Sequence, residues 1–153
     1  MGFFDGYNVA TSGMSAQRTR INVVSSNIAN AQTTHAADGG PYKKQNVVFE
    51  EMLLDGTKQK ASEANLDSDD ALDLLSLRGV GVREIIDSKE KAILKYEPEH
   101  PDANDDGYVA YPNINPVIEM VDLIEAMRSY EANVSAFKTQ KDMDTQTLDI
   151  IKT

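Results

Sequence analysis

From Pro116 to Thr153 the chain has no Gly and no further Pro. Asn115-Pro116 opens this stretch. Asn is a good N-cap, and Pro suits the first helical position, where no N–H is needed. Met120, Leu123, Met127, Tyr130, Val134, Phe137, Lys141, Asp144, Leu148 and Ile151 follow at alternating spacings of three and four, and only Lys141 and Asp144 interrupt the apolar run. This is the seam of a long helix that must lie against another helix. At about 1.5 Å per residue the helix runs roughly 50 Å, more than the core of so small a chain can cover.

The partner lies at the other end. Phe3, Tyr7, Ala10, Met14, Gln17, Ile21, Val24, Ile28 and Ala31 repeat the spacing, broken only by Gln17. Asp5 is a plausible N-cap, and Gly13 is a weak spot for a helix. Residues 1–31 and 115–153 are therefore expected to pair as a coiled-coil-like helical domain. Ile124 borders the seam beside Leu123 and widens the apolar stripe with Val117 and Val121. A single pair leaves Val9, Val117, Val121 and Ile150 wet, so apolar surface remains for other copies.

Between the helices, residues 32–114 read as a small β-rich part. Gly39-Gly40-Pro41 marks a turn, and Val47-Val48-Phe49 a strand. Residues 52–79 are acidic and irregular, with at most a short helix over 70–77. Val80, Val82 and Ile86 alternate partway, 92–96 is a second run, and Ser88-Lys89-Glu90-Lys91 suggests a hairpin joining the two. The expected class is α+β.

A net charge of -10 argues against nucleic acid, whose phosphates need clustered Lys and Arg. No apolar run is long enough for a membrane span. The N-terminus lacks the basic and apolar regions of a secretory signal, and Gly6 weakens a myristoylation reading of Gly2. The absence of Cys removes disulfides and thiol catalysis.

Asp102-Ala103-Asn104-Asp105-Asp106-Gly107 matches the start of an EF-hand loop, but the twelfth position is Asn113 rather than Glu, and Pro112 precedes it. A tight turn is the simpler reading. His35 and His100 lack metal-ligand spacing, and Ser25 and Ser26 lack a base. Glu119, Glu125 and Glu131 are not spaced as a carboxylate pair and read as solvated or intermolecular charges. No catalytic residue, cofactor or metal is expected.

Three motifs carry a resemblance. Ser25-Ser26-Asn27-Ile28-Ala29-Asn30-Ala31-Gln32-Thr33 resembles the S-x-N-I-A-N-x-x-T signature of the bacterial flagellar rod and hook family. Glu119-Met120-Val121-Asp122-Leu123-Ile124-Glu125-Ala126, with Arg128, Tyr130 and Asn133, is similar to that family's C-terminal helix motif. The loop from His100 through Tyr108 to Pro112 and Asn113, with Gly39 to Lys44, resembles the family's proximal rod branch.

The resemblance implies a non-enzymatic subunit of the flagellar basal body, a proximal piece of the shaft that carries torque across the periplasm. It implies self-assembly through the terminal helices and export by the flagellar type III apparatus without a cleaved signal. The implied partners are other copies, other proximal rod proteins (FlgB and FlgF types), the distal rod protein (FlgG type) and the basal adaptor (FliE type). Two rival classes remain, a calcium- or ligand-binding module using the 102–113 loop and a soluble coiled-coil adaptor.

Overall fold

The computed structural model describes residues 5–36, 39–53 and 78–151. Helix α1 spans Asp5–Ala29. Strands β1 (Gln45–Leu53), β2 (Arg78–Asp87), β3 (Ile93–Tyr96) and β4 (Tyr108–Tyr111) follow, and helix α2 spans Pro116–Ile151. The class is α+β. Phe3, and residues 54–77 of the segment read as irregular with its short helix over 70–77, lie outside the described residues. The ends of that segment, 52–53 and 78–79, are not irregular but belong to β1 and β2, where backbone pairing extends the strands.

Local chemistry sets the helix ends. Asn115 Oδ1 accepts the Val117 amide at 3.0 Å, and the Asn115 carbonyl accepts the Glu119 amide at 3.1 Å, so Asn115 is the N-cap of α2. At the end of α1, the Asn30 side chain donates to the Ser26 carbonyl at 2.9 Å and accepts from the Thr33 hydroxyl at 3.1 Å. The Ser26 carbonyl also accepts the Asn30 amide at 3.0 Å, and the Asn30 carbonyl accepts the Thr33 amide at 3.0 Å, so carbonyls of the last turn are satisfied locally.

The strands form two two-stranded sheets, β1–β2 and β3–β4. The expected hairpin between β2 and β3 is not formed. Ser88 donates its amide to Lys44 at 2.6 Å, at the start of β1, while β3 pairs antiparallel with β4 from Ile93↔Tyr111 to Tyr96↔Tyr108. Ser88-Lys89-Glu90-Lys91 has no Gly or Asn to supply the positive φ that tight hairpins need. The β3–β4 loop has one: Gly107 sits at φ +81°, and a Cβ there would lie 2.9 Å from the Tyr96 ring.

The chain divides into two compact units. One, here the terminal unit, comprises Met1–Arg18, Phe49–Arg83 and Met127–Thr153; the other, the central unit, comprises Thr19–Val48 and Glu84–Ala126. Each contains part of both helices. In the terminal unit the Tyr7 ring packs edge-on against Phe137 at 4.9 Å, and Gly13 lies against Asn133. In the central unit Arg20 is 3.7 Å from both Asp122 and Glu125, and Asn27 bonds Glu119. In each unit a step up α1 is a step down α2, so the pairing is antiparallel.

The seam of α2 differs from the expected one at alternate positions. Met120 and Met127 are 51% and 48% exposed, while Glu119 and Ala126 are buried. Leu123, Tyr130, Phe137 and Asp144 are half-buried, as are Asn133 and Gln140. The sequence reading had Met120, Met127 and Lys141 where the seam runs through Glu119, Ala126 and Gln140. In α1, Gly13 and Asn27 are buried where Met14 and Ile28 were expected, and Met14, Ile21 and Ile28 are only half-buried. Neighbouring residues on a helix both border a narrow stripe, and apolar spacing favours the larger side chain. Small residues and polar bonds pull the other one inward.

Candidate functional site

Asn27 and Glu119 are each 1% exposed, although both are polar. Glu119 lies in the first turn of α2, where the helix dipole favours a carboxylate. Its Oε1 accepts from Lys44 Nζ at 2.7 Å and its Oε2 from Asn27 Nδ2 at 3.1 Å. Asn27 Nδ2 also donates to the Gln45 carbonyl at 2.9 Å. Asn27 Oδ1 accepts the Gln45 amide at 2.9 Å and the Tyr42 hydroxyl at 3.1 Å. A primary amide offers two donors and two acceptor lone pairs, and all four are used. One side chain thus ties α1 to α2 and to the start of β1. The reading of Glu119 as a solvated or intermolecular charge is corrected by this burial, and Glu125 is paired with Arg20.

The terminal unit joins the helices differently. The Tyr7 hydroxyl donates to Asp144 Oδ2 at 2.6 Å, and Gln140 Nε2 donates to Asp144 Oδ1 at 3.2 Å. The Asp144 hydrogen bond, then burial, then the charges of Asp144 and Asp142 push the Tyr7 phenol up to about 12. Asp144, a defect in the apolar repeat, is thus an interhelical contact. Gly13 is no weak spot either. A Cβ there would sit 2.8–2.9 Å from the Asn133 amide, which its own Nδ2 bond to Ser129 O holds in place.

Beside the seam lies an uncovered ridge on α2. Val117, Val121 and Ile124 are 69%, 61% and 52% exposed, and Met120 and Met127 belong to the same stripe. Leu148 is 52% and Ile150 76% exposed. Val134 is half-buried, and the side chain of Ile151 lies outside the described residues.

The 97–107 loop is closed by its own backbone and by Asn104. Asn104 Oδ1 accepts the amides of Asp106 at 3.1 Å and Tyr108 at 2.8 Å, the behaviour of an Asx turn. Asp102 accepts from the Thr34 hydroxyl at 2.6 Å. Glu97 accepts from the Tyr111 hydroxyl at 2.8 Å, which chiefly accounts for a raised Tyr111 phenol, with burial adding to it. Two groups at this loop's would-be metal positions are therefore engaged elsewhere. Among the described residues no group of three His, Asp or Glu is placed to hold a metal ion.

Comparison with known proteins decides the family. Residues 8–36 match the family described as "Flagella basal body rod protein", and residues 105–150 the "Flagellar basal body rod FlgEFG protein C-terminal" family. The flagellar basal-body rod protein FlgC of Borreliella burgdorferi is 41% identical over 99% of both chains. The FlgC proteins of Bacillus subtilis (39%; 97% of this chain, 98% of that one) and Salmonella typhimurium (36%; 97% of each) are similar over the same extent. The chain belongs to the flagellar basal-body rod protein family.

Both partners of the Asn27–Glu119 bond fall in the rod-family motifs. Asn27, Asn30 and Thr33 lie in the first, and Glu119 and Asn133 in the second. Ala29 is exposed, and Arg128 is exposed with no ion pair among the described residues. Pro112 is buried, Asn113 is exposed, and Tyr108 stacks edge-on with Tyr96 at 5.4 Å. Sequence reasoning missed Tyr42, Lys44 and Gln45 as partners of Asn27 and Glu119. The available signal was a polar residue in heptad phase with Gly13 and Ala126.

Proposed function

We infer that this chain is a structural subunit of the proximal flagellar rod, acting by assembly rather than by catalysis. One observation beyond the family likeness supports the reading. The stripe formed by Val117, Met120, Val121, Ile124 and Met127 is apolar and about half or more exposed, on a helix already pinned to α1 by other residues. Monomers seldom keep contiguous apolar patches uncovered. The covering surface is supplied by other copies and by neighbouring rod proteins. Asn27, Glu119 and Asn133 hold the helix pair in register, and Tyr7, Tyr130, Val134 and Phe137 fill it. The chain reaches its site through the flagellar export apparatus, without a cleaved signal, and works in the periplasmic basal body.

The test is Ile124→Lys. Ile124 is 52% exposed in the single chain, so stability of the isolated protein should move by no more than about 0.5 kcal/mol. In the assembled rod an unpaired ammonium would be buried, at a cost of several kcal/mol repeated in each subunit. The expected phenotype is non-motile cells that still secrete a folded variant. Motile cells with normal basal bodies would overturn the reading.

A further inference from the structure

His100 sits where a proton would change its partner. In the β3–β4 loop the Asp102 amide donates to His100 Nδ1 at 3.1 Å. A ring nitrogen accepts only while it carries no proton, so this bond requires a neutral imidazole with its hydrogen on Nε2. The same Nδ1 lies 3.9 Å from Asp102 Oδ2. That carboxylate oxygen is taken by the Thr34 hydroxyl at 2.6 Å, a bond that reaches from the loop to the segment following α1. Thr34, His35 and Asp102 line one cleft together with Gly39, Pro41 and Val109. The imidazole also packs edge-on against Tyr111 at 6.3 Å, and the Tyr111 hydroxyl donates to Glu97. Lys95 of β3 stands over the Tyr111 ring, 4.4 Å from its centre. Glu99, Asp105 and Asp106 complete the charged groups of the loop.

We propose that His100 is a pH-operated latch between the hairpin loop and the segment after α1. On gaining a proton, its Nδ1 exchanges the Asp102 amide for the Asp102 carboxylate, which then lets go of Thr34. The first half follows from donor count. A protonated imidazole has two donors and no acceptor, so Nδ1–H and the Asp102 amide would face each other donor to donor, and their bond is lost. The carboxylate is the acceptor within reach. A charge-assisted bond runs about 2.7–2.9 Å and is roughly twice as strong as a neutral one. Closing to that length from 3.9 Å needs a shift of about 1 Å, and the short Thr34 bond to the same oxygen is stretched by it. Histidine changes its charge between about pH 5 and 8, so the latch is closed in neutral solution and open in acid. Both of its ends lie in the central unit and neither belongs to the α2 ridge, so it operates in the single chain, independently of assembly.

Nitrogen and carbon NMR of the purified full chain, titrated from about pH 8 to pH 5, tests it. At the alkaline end the His100 shifts should report a bare Nδ1 and a protonated Nε2. As the ring gains its second proton, the Asp102 amide and the Thr34 side chain should move on the same curve. Protection of the Asp102 amide against exchange should fall about fivefold, the factor carried by one net hydrogen bond. His100→Gln should abolish the Thr34 response, and Asp102→Asn should abolish it while His100 still titrates. His35 adjoins Thr34, so His35→Gln is the control and should leave the response unchanged. A proton on Nδ1 at the alkaline end, or Thr34 and Asp102 signals that stay still while His100 titrates, would overturn the proposal. So would a Thr34 response that follows His35 or survives Asp102→Asn.

Discussion

The two compact units solve the same problem with different chemistry. In the central unit the helices are joined by a buried polar node in which every atom of the Asn27 amide is satisfied and Glu119 is shared between Asn27 and Lys44. In the same unit Val23, Val24, Val109, Ile114 and Ala126 are buried. In the terminal unit the buried apolar residues are Ala10 and Ala16 among those described. The helices meet there through Gly13, an aromatic edge contact and the Tyr7–Asp144 bond, and Gln17 Oε1 is buried with no hydrogen-bond partner among the described residues. The difference teaches where order is built in. Directional bonds to buried groups penalise every wrong register, so the central unit is specified by the chain itself. Among the described residues of the terminal unit, small side chains and one orphan carbonyl specify less.

Three changes would break or sharpen this contrast. The largest effect belongs to Glu119→Ala. It leaves one N–H of the Asn27 amide unpaired and Lys44, itself only 26% exposed, without its counter-ion, at a cost of about 3 kcal/mol. Chemical denaturation of the isolated protein should report it, and a loss below about 1 kcal/mol would mean that the node adds little beyond an ordinary hydrogen bond.

Gly13→Ala comes next. Helix propensity alone would favour Ala by about 1 kcal/mol. The new methyl meets the Asn133 amide, however, so a net loss of about 1 kcal/mol is expected, recovered when Asn133→Ala is added. Stabilisation by the single change would show that the helices do not approach closely there.

The smallest effect is a pH dependence in the terminal unit. Folding raises the Tyr7 phenol from 10.0 to about 12, so its contribution is present below pH 10 and is lost as pH climbs through about 12. Stability should therefore fall over this window, and less so in Tyr7→Phe. Tyr111 titrates in the same direction and serves as the internal comparison.

Much of this was legible in the sequence because helices advertise themselves by period and punctuation. Asn115-Pro116 marked the start of α2, and Leu123, Tyr130 and Phe137 were placed on the right stripe. The wet positions Val9, Val117, Val121 and Ile150 are 37–76% exposed. What escaped was the identity of the inward neighbour at alternate turns. Apolar spacing cannot favour Glu119 over Met120, since the reason for burying Glu119 is Lys44, distant in sequence and near only after folding. The strand pairing escaped for a related reason. Alternation locates strands, whereas the choice of partner depended on which connection could supply a positive φ, and Gly107 could.

The Tyr7–Asp144 bond spans a sequence separation of 137 residues. Closing so long a loop carries a large entropy cost, though one that grows only slowly with length, by about 0.6 kcal/mol per doubling. Timing is affected more than final stability, because such a contact waits for nearly the whole chain. During synthesis the N-terminal end, Tyr7 included, finds no partner until almost the last residue has followed. Helix pairing is thus the last thing the chain completes, and the surface that a neighbour would bind is not assembled before it.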